Sequence, residues 1–344
     1  MGLKGLLGKR AEAVAGIDVG VSSVKIVVME KEKRPVLSFA AVIPHSERPG
    51  SVVEIVDSPS FARVMEAVWR HLPERVDRVS FVMPGRLVMM KVFDVPSGTV
   101  NVRGFVEEEL KKEVPFPLEE LVYDMFVYPG RDERKAVVFM VQKSVFERCR
   151  RVLLNLGARD AVVDTAFAAM ANLISCCCGR EVAEETVVGV DIGDSNVNVV
   201  VMVEGELAFG QCISEVNGTV ILEKIAEAEG LSPEKVREAV VSGRVSEAAL
   251  EEGAKQFCSA LASELITVGA RLGGLVVDSV YITGGAVLNP YICKWLREFT
   301  AVNRVEIVDP LKGIRVSNRV DKVFLAEKAG ELAIAIGGAL SLVV

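Results

Sequence analysis

Two short segments of the chain combine an aspartate, a glycine and a serine in the order Asp-x-Gly-x-Ser. The first is Asp18–Ser22 and the second is Asp191–Ser195. Such a turn suits a bound phosphate, because the glycine lets backbone N–H groups come close and the carboxylate can hold a magnesium ion through water. The same composition also occurs in ordinary turns, where the aspartate caps its own backbone. One segment alone therefore does not predict a binding site.

The two segments belong to a longer internal repeat. Gly16–Met29 aligns without gaps with Gly189–Met202, at a constant offset of 173 residues in a chain of 344. A two-lobed clamp explains such a repeat, because each lobe supplies one turn to a ligand held between them. The repeat predicts a site for ATP or ADP, in which Asp18 and Asp191 hold Mg²⁺ through water. The other predicted phosphate ligands are Gly20, Ser22, Ser23, Lys25, Gly193, Ser195, Asn196 and Asn198.

A third glycine turn, Thr283–Ala286, offers a surface for the nucleoside. Gly284 and Gly285 carry no side chain, so a flat adenosine can lie against the backbone there. The alternative interpretation is a tight turn that caps the following helix. Asp164 and Glu215 are candidates for a general base, and a solvated or capping carboxylate is the alternative for each.

The elements that must position these turns can be read from the apolar pattern. Each copy of the repeat predicts a β-hairpin, because β-branched apolar residues flank its polar turn. The strand-like runs Val79–Met83 and Val280–Ile282 each precede a glycine turn, which suggests that both lobes close in the same way. Apolar residues at helical spacing predict further elements. The predicted helices are Phe61–Leu72, Val102–Val114, Val145–Leu156, Ala254–Leu272 and Pro290–Phe299, the last one capped by Asn289.

The mixture of hairpins and covering helices predicts an α/β fold of two lobes. The segment 85–158 has no counterpart in the second half of the chain and contains its own strand-like runs, Leu87–Val95 and Ala136–Val141. We therefore expect a small subdomain inserted into the first lobe. The predicted division is a flexible start at 1–13, a first lobe at 14–84 and 159–185, the insert at 85–158 and a second lobe at 186–344.

Composition excludes several classes of function. The net charge is −7 and no Lys/Arg stripe is present, so nucleic acid is not an expected partner. No apolar run is long enough to span a bilayer. Met1–Arg10 lacks the features of a secretory signal, which predicts a disordered start, with a weak membrane-surface contact as the alternative. The seven cysteines include the adjacent Cys176–Cys178, which favours a reduced cytoplasmic compartment over disulfides, with a metal site as the alternative.

The motifs resemble those of the actin and FtsA superfamily, whose members have two ribonuclease H-like lobes around a nucleotide. Gly16–Lys25 is similar to its first phosphate motif, Val190–Asn198 to its second and Val280–Ala286 to its adenosine motif. Val163–Ala168 and Ala333–Leu340 resemble the two connecting motifs. The similarity extends over nearly the whole chain.

Within that superfamily, the insert resembles the PilM family of type IV pilus assembly proteins. Val106–Asp124 is similar to that family's charged helix, Pro-Phe-Pro-Leu-Glu-Glu turn and strand. The resemblance implies a cytoplasmic scaffold at the inner face of the cytoplasmic membrane. Such a protein binds ATP and docks the short cytoplasmic tail of a PilN-like inner-membrane protein, and it can associate with itself in a ring.

The chain departs from the family pattern near the nucleoside. Asn217-Gly218 stands where a Gly-Gly pair is usual, which implies Gly218 as a further ligand. Arg237 and Val240 replace an acidic residue and a lysine, which predicts weak nucleotide affinity or slow turnover. Three alternatives share the superfold: an FtsA-like filament-forming division protein, a small-molecule kinase and a type II secretion component. A kinase would be expected to use its insert for a substrate pocket instead of the Pro-Phe-Pro segment.

Overall fold

A computed structural model of the chain describes residues 12–45, 52–72, 76–129, 134–155, 160–285 and 289–343. The first of its three sheets contains the strands β1 (Ala13–Val19), β2 (Ser23–Glu30), β3 (Val36–Pro44), β4 (Arg78–Met83), β8 (Asp160–Thr165) and β14 (Arg315–Val316). The second contains β9 (Thr186–Ile192), β10 (Val197–Val203), β11 (Glu206–Ile213), β12 (Ser279–Thr283) and β13 (Arg304–Ile307). The third contains β5 (Met89–Val95), β6 (Leu121–Pro129) and β7 (Arg134–Gln142).

Helices cover the first two sheets on both faces and one face of the third. They are α1 (Val52–Asp57), α2 (Pro59–His71), α3 (Val102–Glu113), α4 (Lys143–Asn155), α5 (Ala166–Cys178), α6 (Arg180–Glu184), α7 (Gly218–Glu229), α8 (Pro233–Val241), α9 (Glu247–Arg271), α10 (Ile292–Thr300) and α11 (Lys322–Val343). Sheets buried on both faces need strands that are apolar throughout, and β1, β9 and β10 are buried along nearly their whole length. The predicted α/β fold of two lobes is confirmed.

The two large sheets repeat one strand order. The first runs β3-β2-β1-β4-β8, with β14 added beside β3, and the second runs β11-β10-β9-β12-β13. In both sheets the first three strands are antiparallel, and the last two are parallel to the central strand. The repeat seen in the sequence therefore extends to the whole sheet of each lobe.

Two details of this duplication differ from the sequence prediction. β4 and β12 are not the last strands of their sheets, since one more parallel strand lies beyond each of them. Asp18 pairs with Val82 and Asp191 pairs with Thr283, so Met83-Pro84 is the counterpart of Gly284-Gly285. The glycine that follows β4, Gly85, therefore lies one residue further along than Gly285 does after β12.

The lobe in which residues 314–343 pack also differs from the prediction, which assigned 186–344 to the second lobe. Ile314 and the second half of α11, Leu332–Leu340, are buried in the core of the first lobe, and β14 pairs with β3 of that lobe. The physical reason is that this half of α11 is apolar on all sides and must be covered on all sides. α4, which the prediction placed in the insert, likewise packs against the first lobe through Cys149 and Leu153.

The predicted starts of two helices were wrong. α9 begins at Glu247, where Ser246 caps it by accepting a hydrogen bond from the Ala249 N–H at 3.2 Å. α10 begins at Ile292, because the Asn289 side chain accepts from Tyr291 N and donates to Leu250 O, which fixes the preceding loop to α9. The predicted end of a helix at 156–157 and the start 1–11 lie outside the described residues.

Helices α5 and α11 pack together between the two large sheets. The Cβ atom of an alanine at position 337 would lie 1.9 Å from Ala169 O, so Gly337 brings the two helix backbones into contact. Gly16 similarly lies under α11, since a Cβ there would lie 2.0 Å from Ala335 O. Its repeat counterpart, Gly189, faces the Ile174 and Met170 side chains of α5. Each central strand is thus covered by one of the two helices.

Candidate nucleotide site

A cleft of about 420 Å³ lies between the two lobes, at the turns of the two repeated hairpins. Its size is within the range of small-molecule sites. The predicted ligands that line it are Asp18, Gly20, Ser22, Ser23, Lys25, Asp191, Gly193, Ser195, Asn196, Asn198, Gly284 and Gly285. The structure therefore brings together two turns that are 173 residues apart in sequence, one from each half of the chain.

The turns of the two hairpins have the same backbone geometry. Gly20 N donates to Ser23 O at 3.0 Å, and Gly193 N donates to Asn196 O at 2.9 Å. In the first hairpin, the Lys25 ammonium lies 3.3 Å from the Asp18 carboxylate, and both side chains are mostly buried. Burial alone would lower the pKa of Lys25, but Asp18, Asp191 and Glu331 together raise it, so the lysine is charged at neutral pH.

The second hairpin has an amide where the first has the lysine. Asn198 is the repeat counterpart of Lys25, and its Nδ2 donates to Asp191 Oδ2 at 3.1 Å. Burial raises the pKa of Asp191 to about 6, with a further contribution from Asp18, while Asn198 and Lys25 act in the opposite direction. Asp191 is therefore ionised at neutral pH and takes up a proton under mildly acidic conditions.

The residues present fit a magnesium nucleotide. Asp18 and Asp191 supply oxygen ligands, which Mg²⁺ prefers, and Lys25 supplies the positive charge that a phosphate needs. At Gly284 the backbone has φ +107°, and a Cβ there would lie 2.4 Å from Ile192 O. Only glycine fits there, because the Ile192 backbone occupies the position that a side chain would take. Ala286, the last residue of the predicted turn, lies outside the described residues.

Three predicted residues do not line the cleft itself. Gly218 lines a smaller pocket that adjoins the cleft, and its N–H donates to Gly193 O at 2.8 Å. Asp164 is the penultimate residue of β8 and accepts from Thr165 N, and burial raises its pKa. Glu215 accepts from Ser214 N at 3.1 Å and is exposed. These bonds agree with the capping interpretation, and a role as a general base stays a prediction for both.

Sequence reasoning missed several lining residues because they lie outside the repeat or differ within it. Asp194 Oδ1 forms an ion pair with Arg237 Nη2 of α8 at 2.7 Å. His45 Nε2 lies 3.0 Å from Gly20 O, and its backbone N–H donates to Ser22 O. Lys328 and Glu331 of α11 pair at 2.6 Å beside the cleft. The sequence prediction includes Arg237 only as a departure from the family pattern near the nucleoside.

A second, smaller pocket adjoins the cleft. Its lining is mainly apolar and includes Ile221, Leu222 and Val240, and it shares Arg237 and Gly285 with the cleft. The position beside the glycine turn agrees with a nucleoside subsite at the predicted place.

The third sheet forms a separate surface on the first lobe. One of its faces packs on α3 around Val106 and Leu110. Its other face carries a row of aromatic rings that reaches α5, with centroid distances of 6.1 Å for Phe126–Phe139 and 6.4 Å for Phe139–Phe167. β6 is an edge strand in the order β5-β7-β6. The insert therefore meets the first lobe through half-buried aromatic residues beside β6, which has a strand partner on one side only among the residues that the structure describes.

Two broader predictions concern metal ions and membranes. Within 12–45, 52–72, 76–129, 134–155, 160–285 and 289–343, no group of three or more His, Cys, Asp or Glu side chains is arranged to hold a metal ion directly. Cys177 and Cys178 are instead buried in the core. Over the same ranges, no helix has the length and apolarity to cross a membrane.

This fold has counterparts among known proteins. The family model described as type IV pilus assembly protein PilM matches residues 16–342. A chain of the solved PilM-PilN type IV pilus biogenesis complex is similar with a TM-score of 0.77 and 20% identity, over 96% of this chain and 98% of that one.

Two further solved structures share the fold. The ethanolamine utilization protein EutJ from Carboxydothermus hydrogenoformans has a TM-score of 0.55 and 16% identity, over 95% of this chain and 89% of that one. MreB5 of Spiroplasma citri bound to ADP has a TM-score of 0.52 and 11% identity, over 95% and 94% respectively. These similarities confirm the predicted two-lobed actin-like fold.

Proposed function

The chain belongs to the PilM family of type IV pilus assembly proteins, and we propose that it acts there as a nucleotide-binding scaffold that docks the cytoplasmic tail of a PilN-like inner-membrane protein. The proposed ligands of the cleft are ATP or ADP with Mg²⁺. The proposed location is the cytoplasm, at the inner face of the cytoplasmic membrane. Self-association into a ring is part of the same proposal.

One observation carries the nucleotide part of the proposal. The two repeated turns meet at one cleft, with Lys25 between the carboxylates of Asp18 and Asp191. A cation flanked by two carboxylates suits a phosphate that arrives with its own divalent metal ion. The ADP bound to the MreB5 structure, which has the same fold, supports a nucleotide in this cleft.

The same site supports binding with slow turnover. Asp164 and Glu215, the two candidate bases, lie away from the cleft lining and cap backbone N–H groups. Arg237 and Val240 adjoin the apolar pocket where the nucleoside would lie. We expect a steady-state ATP hydrolysis rate well below about 1 per second, the lower end of ordinary enzyme turnover. A faster rate would support the kinase-like alternative.

Calorimetry with Mg-ATP and Mg-ADP tests the nucleotide site. Wild type should bind, and Asp191→Ala should lose binding, because a ligand oxygen for the magnesium ion is removed. Thermal unfolding gives a second measurement, since a ligand that binds only the folded state raises its stability. Asp160→Asn is the control, because Asp160 pairs with Arg78 at 3.1 Å in β8, away from the cleft lining. Absence of both a binding signal and a thermal shift in wild type would refute the site.

The junction between the insert and the first lobe is the proposed docking site for the tail. Within the described part of the chain, no strand pairs with the outer edge of β6, and an extended peptide can add to such an edge as a further strand. Phe126 and Tyr128 lie on one face of β6, with ring centroids 6.4 Å apart, and provide apolar contacts for alternate side chains of the peptide. The similarity to a chain of the PilM-PilN complex supports this partner.

Charge reversal on the strand edge tests the docking site. Asp124→Lys changes an exposed residue of β6 on the face of Phe126 and should weaken binding of the partner's tail peptide in calorimetry. The matched control is Glu306→Lys, which makes the same kind of change on β13, the exposed outer strand of the second lobe. Equal affinity of both variants, with crosslinks from the tail to the second lobe, would place the docking site elsewhere.

The three alternatives are less well supported. The family match covers residues 16–342, which includes the insert as well as both lobes. The pilus family model thus accounts for the insert together with both lobes. It favours pilus assembly over a filament-forming division protein, a small-molecule kinase and a type II secretion component.

A further inference from the structure

Asp194 is an acidic side chain inside the turn where a phosphate is expected to bind. It occupies the repeat position of Val21, so the first hairpin has no equivalent charge. Its carboxylate forms the 2.7 Å ion pair with Arg237. The Ser22 hydroxyl of the first hairpin also lines the cleft and lies close enough to lower the pKa of Asp194. Asp194 is thus paired with α8 of its own lobe and faces the hairpin turn of the other lobe.

The groups around Asp194 are those that a phosphate would use. Ser22 offers a hydroxyl donor, Arg237 offers a guanidinium and Lys25 adds a positive field. Burial acts to raise the pKa of Asp194, but these three groups together outweigh it and lower the pKa, so the carboxylate is ionised. An anion of the chain is therefore held where an anionic ligand would be held.

The charge balance of the cleft makes this carboxylate unfavourable for nucleotide binding. The acidic lining residues are Asp18, Asp191, Asp194 and Glu331, whereas the basic ones are Lys25, Arg237 and Lys328. Asp18 and Asp191 have a use in holding a magnesium ion. Asp194 has no such use while it is paired with Arg237, and it repels a phosphate that approaches the same donors.

We propose that Asp194 is a built-in competitor of the nucleotide: it pairs with Arg237 opposite Ser22 in the nucleotide-free protein, and it releases Arg237 when a phosphate takes its place between these two residues. The inference rests on the proposed nucleotide function of the cleft. It identifies Asp194 and Arg237 as residues that set the affinity for the nucleotide. It also couples binding to the contact between lobes, because the phosphate must take the place of Asp194 between Arg237 of one lobe and Ser22 of the other.

Calorimetric titration of the full chain with Mg-ADP tests the inference. Asp194→Asn removes the charge and Asp194→Ala removes the side chain, and both should bind at least about tenfold more tightly than wild type, a change of about 1.4 kcal/mol. Without nucleotide, both variants should unfold at a slightly lower temperature than wild type, because the ion pair with Arg237 is lost. With saturating Mg-ADP, their gain in melting temperature should exceed that of wild type.

Arg237 provides the second arm of the test. If the phosphate takes over Arg237, then Arg237→Gln should weaken binding, and Asp194→Asn should give a much smaller gain in the Arg237→Gln background. Asp160→Asn, which alters an Asp–Arg pair outside the cleft lining, should bind like wild type.

The outcomes separate this inference from the proposed function. If neither wild type nor any variant binds Mg-ADP or Mg-ATP, the proposed nucleotide function fails. If wild type binds and both Asp194 variants bind equally or more weakly, Asp194 is a ligand or a bystander and the inference is wrong. If Asp194→Asn increases the affinity for Mg-ADP equally in the wild-type and Arg237→Gln backgrounds, the phosphate does not take over Arg237 from Asp194.

Discussion

The hairpin β1–β2 and the hairpin β9–β10 have nearly the same backbone and very different surroundings. Their turns close with the same hydrogen bond, at 3.0 Å in the first and 2.9 Å in the second. The aspartate of the first faces the ammonium of Lys25, whereas that of the second faces the amide of Asn198. The comparison shows that the shared part is the path of the backbone, while the charge at each turn is specific to its lobe.

The largest expected difference between the hairpins concerns their central glycines. Gly16→Ala places a Cβ 2.0 Å from Ala335 O, so the backbone of α11 must move, and we expect a loss of about 4 kcal/mol or more in unfolding free energy. Gly189→Ala places a Cβ 2.4 Å from Ile174 Cδ1, the end of a flexible side chain, which we expect to cost about 1 to 2 kcal/mol. Urea unfolding measures both. Equal losses would mean that α5 is as rigidly placed as α11.

The next difference concerns Lys25 and Asn198. Lys25→Met leaves two acidic side chains without their cation, and we expect a loss of about 3 kcal/mol, as for a broken buried ion pair. Asn198→Ala removes a single hydrogen bond to Asp191 and should cost about 1 to 2 kcal/mol. Urea unfolding at pH 7 compares them. A larger loss from Asn198→Ala would show that the amide, and not the lysine, neutralises the cleft.

A smaller effect distinguishes the second hairpin by its pH dependence. The pKa of Asp191 in the folded protein is about 6, above its ordinary value of 3.8, so the folded state binds this proton more tightly. The resulting stability is present at low pH and is lost as pH rises through 6, by about 1.4 kcal/mol between pH 5 and pH 8. Asp191→Asn should lack this change. Unfolding free energies of the two proteins at both pH values test it, and parallel curves would contradict the assigned direction.

The smallest expected difference concerns the serines. Ser22→Ala removes a contact across the cleft and should cost about 0.5 to 1.5 kcal/mol in the nucleotide-free protein. Ser195 donates to Asn196 Oδ1 at 3.3 Å within its own turn, so Ser195→Ala should change stability by less than about 0.5 kcal/mol. Thermal unfolding measures both. A larger loss from Ser195→Ala would mean that the lobes are not connected through Ser22.

The repeat explains why much of this architecture is predictable from sequence. Matching turns require matching strands on both sides, so the alignment of the two halves is enough to place Asp18 and Asp191 opposite each other. The return of α11 to the first lobe is not predictable in this way. Its residues Leu332–Leu340 show that the helix is buried, but no local pattern states which sheet covers it.

The chemistry of the cleft is predictable only where it is repeated. Asp194 and Arg237 are paired across 43 residues of sequence, and neither belongs to a repeated position. The same applies to His45 and to Glu331, which come from a strand end and from α11. Asp164 and Glu215 show the opposite case, since a carboxylate close to a motif in sequence can be used for capping its own backbone.

The contact between α5 and α11 restricts how the two lobes can move. Because Gly337 lies against the Ala169 carbonyl with no side chain between them, the helices cannot slide past each other without a clash of backbone atoms. α11 covers the central strand of one sheet and α5 covers that of the other. A rotation of one lobe against the other about this crossing keeps the contact, whereas a translation along either helix breaks it. Closure of the cleft by rotation would therefore leave the packing of α5 on α11 in place.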